Sequence, residues 1–286
     1  VEGRLNQAAK LTGIENVSPG NNYQFIPFLF ARELDALDRS ALGGPKFARS
    51  SEQEVGLDAK FVFNDSWAVD LTLNPDFSQI ESDQPQVTVN ERFEVQFPER
   101  RPFFIENANF FSTDSNLVFT RRIVDPEGGI RLSGRSGDYG FGSILINDAA
   151  PGLGRDADDP LRDEKANIAI IRGFRDLGDQ DRIGFLATER QLGDGYNRVL
   201  SFDSRFKFTD NWFTQIQLVG TESEPTSGDE YTTGYQRNIM INREGRTYSN
   251  HTHFIETTSD FRTELGFMNR FFTVSYTHLT LPTKDS

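Results

Sequence analysis

The chain contains no cysteine, and only two methionines, two tryptophans and three histidines among its 286 residues. Without cysteine there are no disulfides and no thiolate metal sites, a composition that suits a secreted or outer-membrane protein. There is no basic excess either. Thirty Lys and Arg stand against 43 Asp and Glu, for a net charge of −13, which argues against nucleic acid as a partner. No apolar run approaches the ~20 residues that a transmembrane helix needs. No repeat of fixed period is evident, so a propeller or solenoid is disfavoured. Gly137, Gly140 and Gly142 do not form a GxGxxG fingerprint, and no phosphate loop or Ser-His-Asp order stands out. No signal peptide precedes Val1 and the reading opens mid-theme; the expectation is an internal fragment or a processed start.

What the chain has in abundance is phenylalanine, 26 residues, and alternation. Leu200, Phe202, Phe206 and Phe208 face one way; Ser201, Asp203, Arg205 and Lys207 face the other. Val55, Leu57, Ala59, Phe61 and Phe63 are followed, after an Asn64–Ser66 turn, by Trp67, Val69, Leu71 and Leu73, which reads as a hairpin. Pro27 marks the first strand, Tyr23 to Arg32, as an edge or a bulge. Further strands are expected at 128–134, 139–147, 166–174, 182–190, 212–221, 231–242, 247–257 and 262–273. Three turns are short (64–66, 176–181 and 209–211), and two polar loops are longer (151–164 and 222–230). Strands of 10–12 residues exceed the ~5–6 usual in soluble sheets. Charged residues in mid-strand suit a water-lined lumen, and aromatics at strand ends (Trp67, Phe208, Trp212, Phe271, Phe272) suit an interfacial girdle.

The least repetitive stretch is Asn74 to Phe111, with strands on both sides. Its prolines, Pro75, Pro85, Pro98 and Pro102, break any long helix or central strand. Its phenylalanines argue against disorder. Residues 75–112 are therefore expected to form a folded insert pinned by Arg–carboxylate forks, lying in the lumen as a partial plug. The candidate insert–lumen network is Asp76, Glu81, Asp83, Glu94, Glu99, Arg100, Arg101 and Glu106. Arg100 and Arg101 are expected to reach lumen charges such as Asp58, Asp70 or Asp203. Such pairs hold geometry more often than they perform chemistry.

The phrases LTLNPDFSQIESD (Leu71 to Asp83), FPERRPFFIENANFF (Phe97 to Phe111) and FTRRI (Phe119 to Ile123) carry a resemblance. So do LTGIENVSPGNNYQFIPFLFAR (Leu11 to Arg32) and FRTELGFMNR (Phe261 to Arg270). Together they resemble a family of bacterial outer-membrane barrels of uncharacterised function. Fuller members of that family resemble a fusion with a domain like family-9 carbohydrate-binding modules, which is not visible in this chain. The resemblance spans most of residues 11–273. It implies a bacterial outer-membrane location, lipid as a partner, and an association with glycans.

Other candidate chemistry is sparse. Glu81 with Asp83, or Glu94 with Glu99, is the kind of pair a glycosidase uses, if set about 5–5.5 or 6.5–9.5 Å apart in a cleft. Asp156, Asp158, Asp159 and Asp163 lack the calcium-loop spacing and read as a solvated loop. His251 and His253 share a strand face, with no third ligand in view. No catalytic residue, cofactor or metal is assigned. The tail VSYTHLTLPT (Val274 to Thr283) looks like the translation of a sequencing-library transposon end. Residues 274–286 are accordingly set aside, and the chain is expected to continue past Thr273.

The expected fold is all-β: an antiparallel up-and-down transmembrane β-barrel, truncated, over residues 1–273. Its role is expected in transport or surface binding. An outer-membrane glycan hydrolase and a soluble β-sandwich binding module remain as alternatives. The register predicts that Phe206→Arg blocks membrane assembly, whereas Arg205→Ser is mild.

Overall fold

The computed structural model describes residues 22–38, 46–63, 66–75, 98–153, 155–156, 158–226, 230–245, 248–268 and 276–279. Its strands are β1 (Asn22–Asp38), β2 (Lys46–Phe63), β3 (Trp67–Leu73), β4 (Gly128–Ser136), β5 (Tyr139–Asp148) and β6 (Ala166–Leu177). They continue as β7 (Asp181–Leu192), β8 (Gly195–Lys207), β9 (Trp212–Glu224), β10 (Thr232–Arg243), β11 (Asn250–Thr257) and β12 (Tyr276–Leu279). All twelve pair in sequence order in one antiparallel sheet. No pairing joins β1 to β12 among the described residues, so the sheet is open, with β1 and β12 at its edges. Pro27 lies in the edge strand β1, where a missing ladder N–H is tolerated.

The connections are unequal at the two ends. Residues 64–66, 137–138, 178–180, 208–211 and 244–249 join strands at one end and are all short. At the other end the connections include residues 74–127, 149–165, 225–231 and 258–275, so the expected long loops lie there together. Gly193 shortens one turn at that end by taking φ 56°, a conformation glycine adopts without steric cost.

Strand bounds differ from expectation in instructive places. β1 runs on to Asp38, past the expected strand end at Arg32. No strand forms over Arg262–Met268. That segment turns inward instead and buries Phe261, Leu265 and Phe267. The connection between β3 and β4 occupies residues 74–127, longer than the expected insert, and Leu117–Ile123 is irregular with a 3-10 turn at Thr120–Arg122. Tyr276–Leu279, inside the segment set aside as a tail, pairs with β11. Strand-favouring residues add to any open edge, so this pairing does not bear on the segment's origin.

Each strand presents two different faces. In β8, Asn197, Val199 and Ser201 are buried, while Leu200 is 48% and Phe202 56% exposed. The ladder puts Phe202 beside Phe185 and Leu218, and Phe185 beside Gly173. Ile130 and Leu145 on β4 and β5 pair with each other and are likewise exposed. The outer face is thus an apolar band, bounded at the short-turn end by aromatics. There Phe63 stacks on Trp67 at 6.5 Å, Trp67 meets Phe141 at 6.4 Å and Phe25 meets Phe61 at 5.4 Å. Toward the long-loop end it gives way to Glu189, Arg198 and Glu222 in one ladder row.

The inner face is covered. Ile144, Ile146, Ile168, Ile170, Leu186, Val199 and Val219 form one buried cluster with Phe103, Phe104, Phe111, Leu117 and Ile123 of the insert and with Phe261 and Leu265. Strands that are apolar on both faces have something apolar on both sides. Inside, that is the insert. Outside, no part of the chain supplies it among the described residues.

Candidate functional site: the insert and the inner wall

The FPERRPFF block forms its own clasp. Pro102 opens a short helix, α1 (Pro102–Ile105), where its fixed φ and missing N–H cost nothing. Glu99, just before it, accepts five hydrogen bonds. Oε1 takes the backbone N–H groups of Arg100 and Arg101 at 3.0 Å and Arg101 Nε at 2.8 Å. Oε2 takes Arg101 Nη2 at 2.8 Å and Thr120 Oγ1 at 2.6 Å. Arg101 also donates to the carbonyls of Ile123 and Thr120 at 2.5 and 2.7 Å, and lies 4.2 Å from the Phe104 ring centroid. Asn107 then turns the chain at φ 52° into a 3-10 turn, Ala108–Phe111.

Burial on its own would raise the Glu99 carboxyl. The hydrogen bonds from Arg101 and Thr120, with the Arg101 charge, outweigh it and hold the group down at about 2. Its folded value lies below the unfolded ~4.3, so its contribution is fully present above the unfolded value and is lost as pH falls toward the folded one. The clasp is therefore expected to stay closed at pH 5 and to open between about pH 4 and pH 2. Pepsin cleavage at Phe103–Phe111, followed against pH, measures it; Glu99→Gln should remove this part of the acid transition. A carboxyl held at about 2 also does not serve as a general acid near neutrality.

The wall grips the insert mainly through Arg131, Lys60, Asp148 and Gln217, which the sequence did not single out. Arg131 on β4 is 1% exposed. Its Nη2 and Nε donate to Asp70 Oδ2 on β3 at 2.8 and 3.1 Å, and its Nη1 donates to the carbonyls of Phe103 and Glu106. Lys60 on β2 pairs with Glu106, and Asn107 Nδ2 donates to Ser133 Oγ at 3.0 Å. Asp148, at the end of β5, accepts the backbone N–H groups of Val124, Asp125 and Ala150 at 3.1, 2.7 and 3.2 Å. Farther round the sheet, Gln217 accepts the N–H of Ser115 at 2.7 Å, and Ser115 Oγ donates to Gln236 at 2.5 Å. One segment thus touches β2 near one end and β10 near the other, so the sheet curls into a trough around it.

The expected network is rearranged. Glu99 and Arg101 pair with each other, not with the wall, and Arg101 does not reach Asp58, Asp70 or Asp203. Asp70 is taken by Arg131, Asp203 by Arg172, and Asp58 accepts Thr72 Oγ1 at 2.6 Å. The wall's charges mostly pair with one another, and insert backbone groups dock on them. Glu106 does meet the wall, through Lys60. The backbone N–H of Arg100 serves the Glu99 clasp. Asp76, Glu81, Asp83 and Glu94 lie outside the described residues, as do Phe271 and Phe272. The legible signal for the missed residues was a lone arginine in an apolar strand, as in GGIRLSG and AIIRGF. Such a charge needs a buried partner.

At the insert's far end, Gln215 Nε2 donates to Asp114 at 2.7 Å. Burial and the neighbouring Asp203 push the Asp114 carboxyl up, against the pull of Arg205 and Arg172. In the polar loop, Asp159 accepts the Leu161 N–H and an Arg155 N–H, both at 2.8 Å, an internal loop role. His253 Nε2 lies 2.7 Å from Asn238 Oδ1, and His251 Nδ1 3.3 Å from Asn242 Oδ1. No group of three His, Asp or Glu residues is placed to hold a metal among the described residues.

Close approach to the wall fixes glycine at two positions. A Cβ on Gly234 would collide with the backbone N and Cα of Phe261. Gly234→Val is expected to dislodge the Phe261–Phe267 segment at about 1–3 kcal/mol, the usual cost of overpacking. Faster tryptic cleavage after Arg262 would register it. At Gly142 a Cβ would stand 2.9 Å from Phe111 Cζ, so the insert passes directly over β5 there.

Residues 24–131 match a family described as a domain of unknown function, DUF5916. No curated protein matches. Two solved structures are similar in part: OmpT (in-vitro folded), an outer membrane protein of Vibrio cholerae, and outer-membrane expressed OmpT of Vibrio cholerae. The first is 12% identical over 92% of this chain and 94% of that one, at a TM-score of 0.36. The second is 8% identical over 92% and 96%, at 0.35. Likenesses at those scores carry no argument about this chain. No helix among the described residues is long and apolar enough to cross a membrane, which says nothing of strands.

Proposed function

We propose that the chain is the wall of an outer-membrane β-barrel whose interior is filled by its own insert, and that it binds ligands at the surface or admits them by moving that insert. The observation that carries this is the pairing of two apolar faces. The inner face is covered by Phe103, Phe104, Phe111 and Leu117; the outer face, with Leu200, Phe202 and Leu218, is bare. Lipid is the solvent that suits the bare face, and closed barrels in outer membranes are where such strands occur. Glycans are proposed as ligands through the family resemblance alone.

A filled interior argues for gated passage rather than free diffusion. In planar bilayers the protein is expected to give little steady conductance. Gly142→Leu, which sets a side chain against Phe111, should raise it about tenfold or more. A wide, steady channel in the unaltered protein would contradict the plug. A protein that stays in solution without detergent would contradict the membrane wall.

A further inference from the structure

We infer that the groove on the outer face at the short-turn end is a site for one glycerophospholipid, its tail lying in the groove and its phosphate on Arg175. This rests on the reading above in taking that face as the one turned to lipid. The groove has a volume of ≈ 650 Å³, within the ~300–1,000 Å³ of ordinary small-molecule sites. Phe141, Ile183, Phe202 and Leu218 line it, and the last three are exposed. Gly173 sets its depth. A Cβ there would stand 2.5 Å from Phe185 Cε1, so the Phe185 ring lies down against the wall and leaves space above it. An apolar floor of this kind suits a hydrocarbon chain.

The edge of the groove carries donors with no acceptors to meet them. Tyr139, Arg175, Ile183 and Ser204 form one ladder row beside the turns at 137–138 and 178–180. Arg175 is exposed and lies 5.1 Å from the Tyr139 ring centroid, a contact that steadies a guanidinium without neutralising it. No carboxylate pairs with it among the described residues. The neighbouring Asp176 serves the inner face, where Arg135 and Arg182 share it. The Tyr139 and Ser204 hydroxyls make no hydrogen bond among the described residues either.

A cation and two hydroxyls at the rim of an apolar groove complement a phosphodiester joined to a hydrocarbon tail. Guanidinium forks match the paired oxygens of a phosphate. The other end of the same face differs: there Arg198 is paired with Glu189, and Glu222 stands beside it. In outer-membrane barrels the short turns are periplasmic, which puts Arg175 at the headgroup level of that leaflet.

Native mass spectrometry of the detergent-folded protein, titrated with dioleoyl phosphatidylglycerol, dioleoylglycerol and glycerol phosphate, tests this. The second probe lacks the phosphate and the third lacks the tails. Retention of one phosphatidylglycerol per chain, with neither of the other two, is the expected result. Arg175→Gln should weaken retention about tenfold, the scale of one charge-assisted contact, and Arg175→Lys should weaken it less. Ile183→Trp fills the groove while leaving Arg175 in place, and should weaken retention at least as much as Arg175→Gln. Arg198→Gln, at the other end of the face, should leave it unchanged. Heat-modified gel mobility checks that each variant is folded. Should Arg175→Gln misfold, Arg175→Lys with Ile183→Trp carries the test. No retained lipid, equal retention of dioleoylglycerol, equal binding of glycerol phosphate, or retention indifferent to the substitutions at Arg175 and Ile183 would overturn the inference. Lipid exposure of the wall is measured separately, so any of these results alongside an exposed wall overturns the site alone.

Discussion

Phe202→Arg is expected to abolish assembly into membranes. Phe202 sits mid-strand in β8, 56% exposed, between Phe185 and Leu218 in the ladder. In the proposed membrane wall a charge placed there faces the bilayer near its midplane, at a cost of about 2–4 kcal/mol. The same change in a soluble sheet would be close to neutral, because an exposed arginine is at home in water. Phe206, which alternation also places outward, is half-buried close to the turn at residues 208–211. Its substitution by Arg should cost less, since the penalty falls toward the interface. Arg205→Ser, on the inner side beside Asp114, should be mild. Assembly yield into vesicles, read by the fraction resistant to urea extraction, distinguishes these. Equal loss from Phe202→Arg and Arg205→Ser would mean that the two faces are wrongly assigned.

The second large effect is expected at Arg131. Removing it leaves Asp70 buried without its cation and frees the carbonyls of Phe103 and Glu106 from the wall. Breaking a buried pair from one side costs about 3–5 kcal/mol. Arg131→Met should therefore lower the urea midpoint strongly and expose the insert to protease. Removing both charges, with Arg131→Met and Asp70→Leu, should recover much of the loss, because an apolar pair of similar volume often replaces a buried ion pair at little cost. If the double variant were as unstable as the single one, the carbonyl contacts to the insert would be the larger part of what Arg131 supplies.

Much of the wall was legible because a strand's period of two leaves a plain record. The Leu200–Phe202–Phe206 side and the Ser201–Asp203–Arg205 side fall where alternation placed them. The three turns expected to be short lie at one end of the sheet and the two expected long loops at the other. Strand ends were less legible: β1 continues to Asp38, past its expected end at Arg32, since its pairing with β2 and not its composition carries it onward. The FRTELGF segment read as one more strand. Its apolar residues instead serve the interior, because a glycine on β10, Gly234, leaves room for its backbone.

The site was half legible. Aromatics among prolines and charges suggested a folded insert; among its described residues Glu99 pairs with Arg101, where the expectation had Arg101 reaching the wall. Which arginine binds which carboxylate was not legible. Arg131 and Asp70 are far apart in sequence and only the β3–β4 register brings them together, and Glu106 reaches them through the fold of the insert. Asp148 was hidden for the same reason. It looks like any strand-terminal acid until the insert's N–H groups arrive.

The central claim is that even-numbered residues of β8 face lipid and odd-numbered ones face the insert. The absence of cysteine allows a direct test. Single cysteines introduced in turn at Val199, Leu200, Ser201 and Phe202 would carry a spin label in reconstituted vesicles. Collision rates with oxygen, which concentrates in lipid, and with a water-soluble nickel chelate would be compared. High oxygen and low nickel access at 200 and 202, with both low at 199 and 201, is the predicted result. High nickel access at 200 and 202 would place that face in water and contradict a membrane wall.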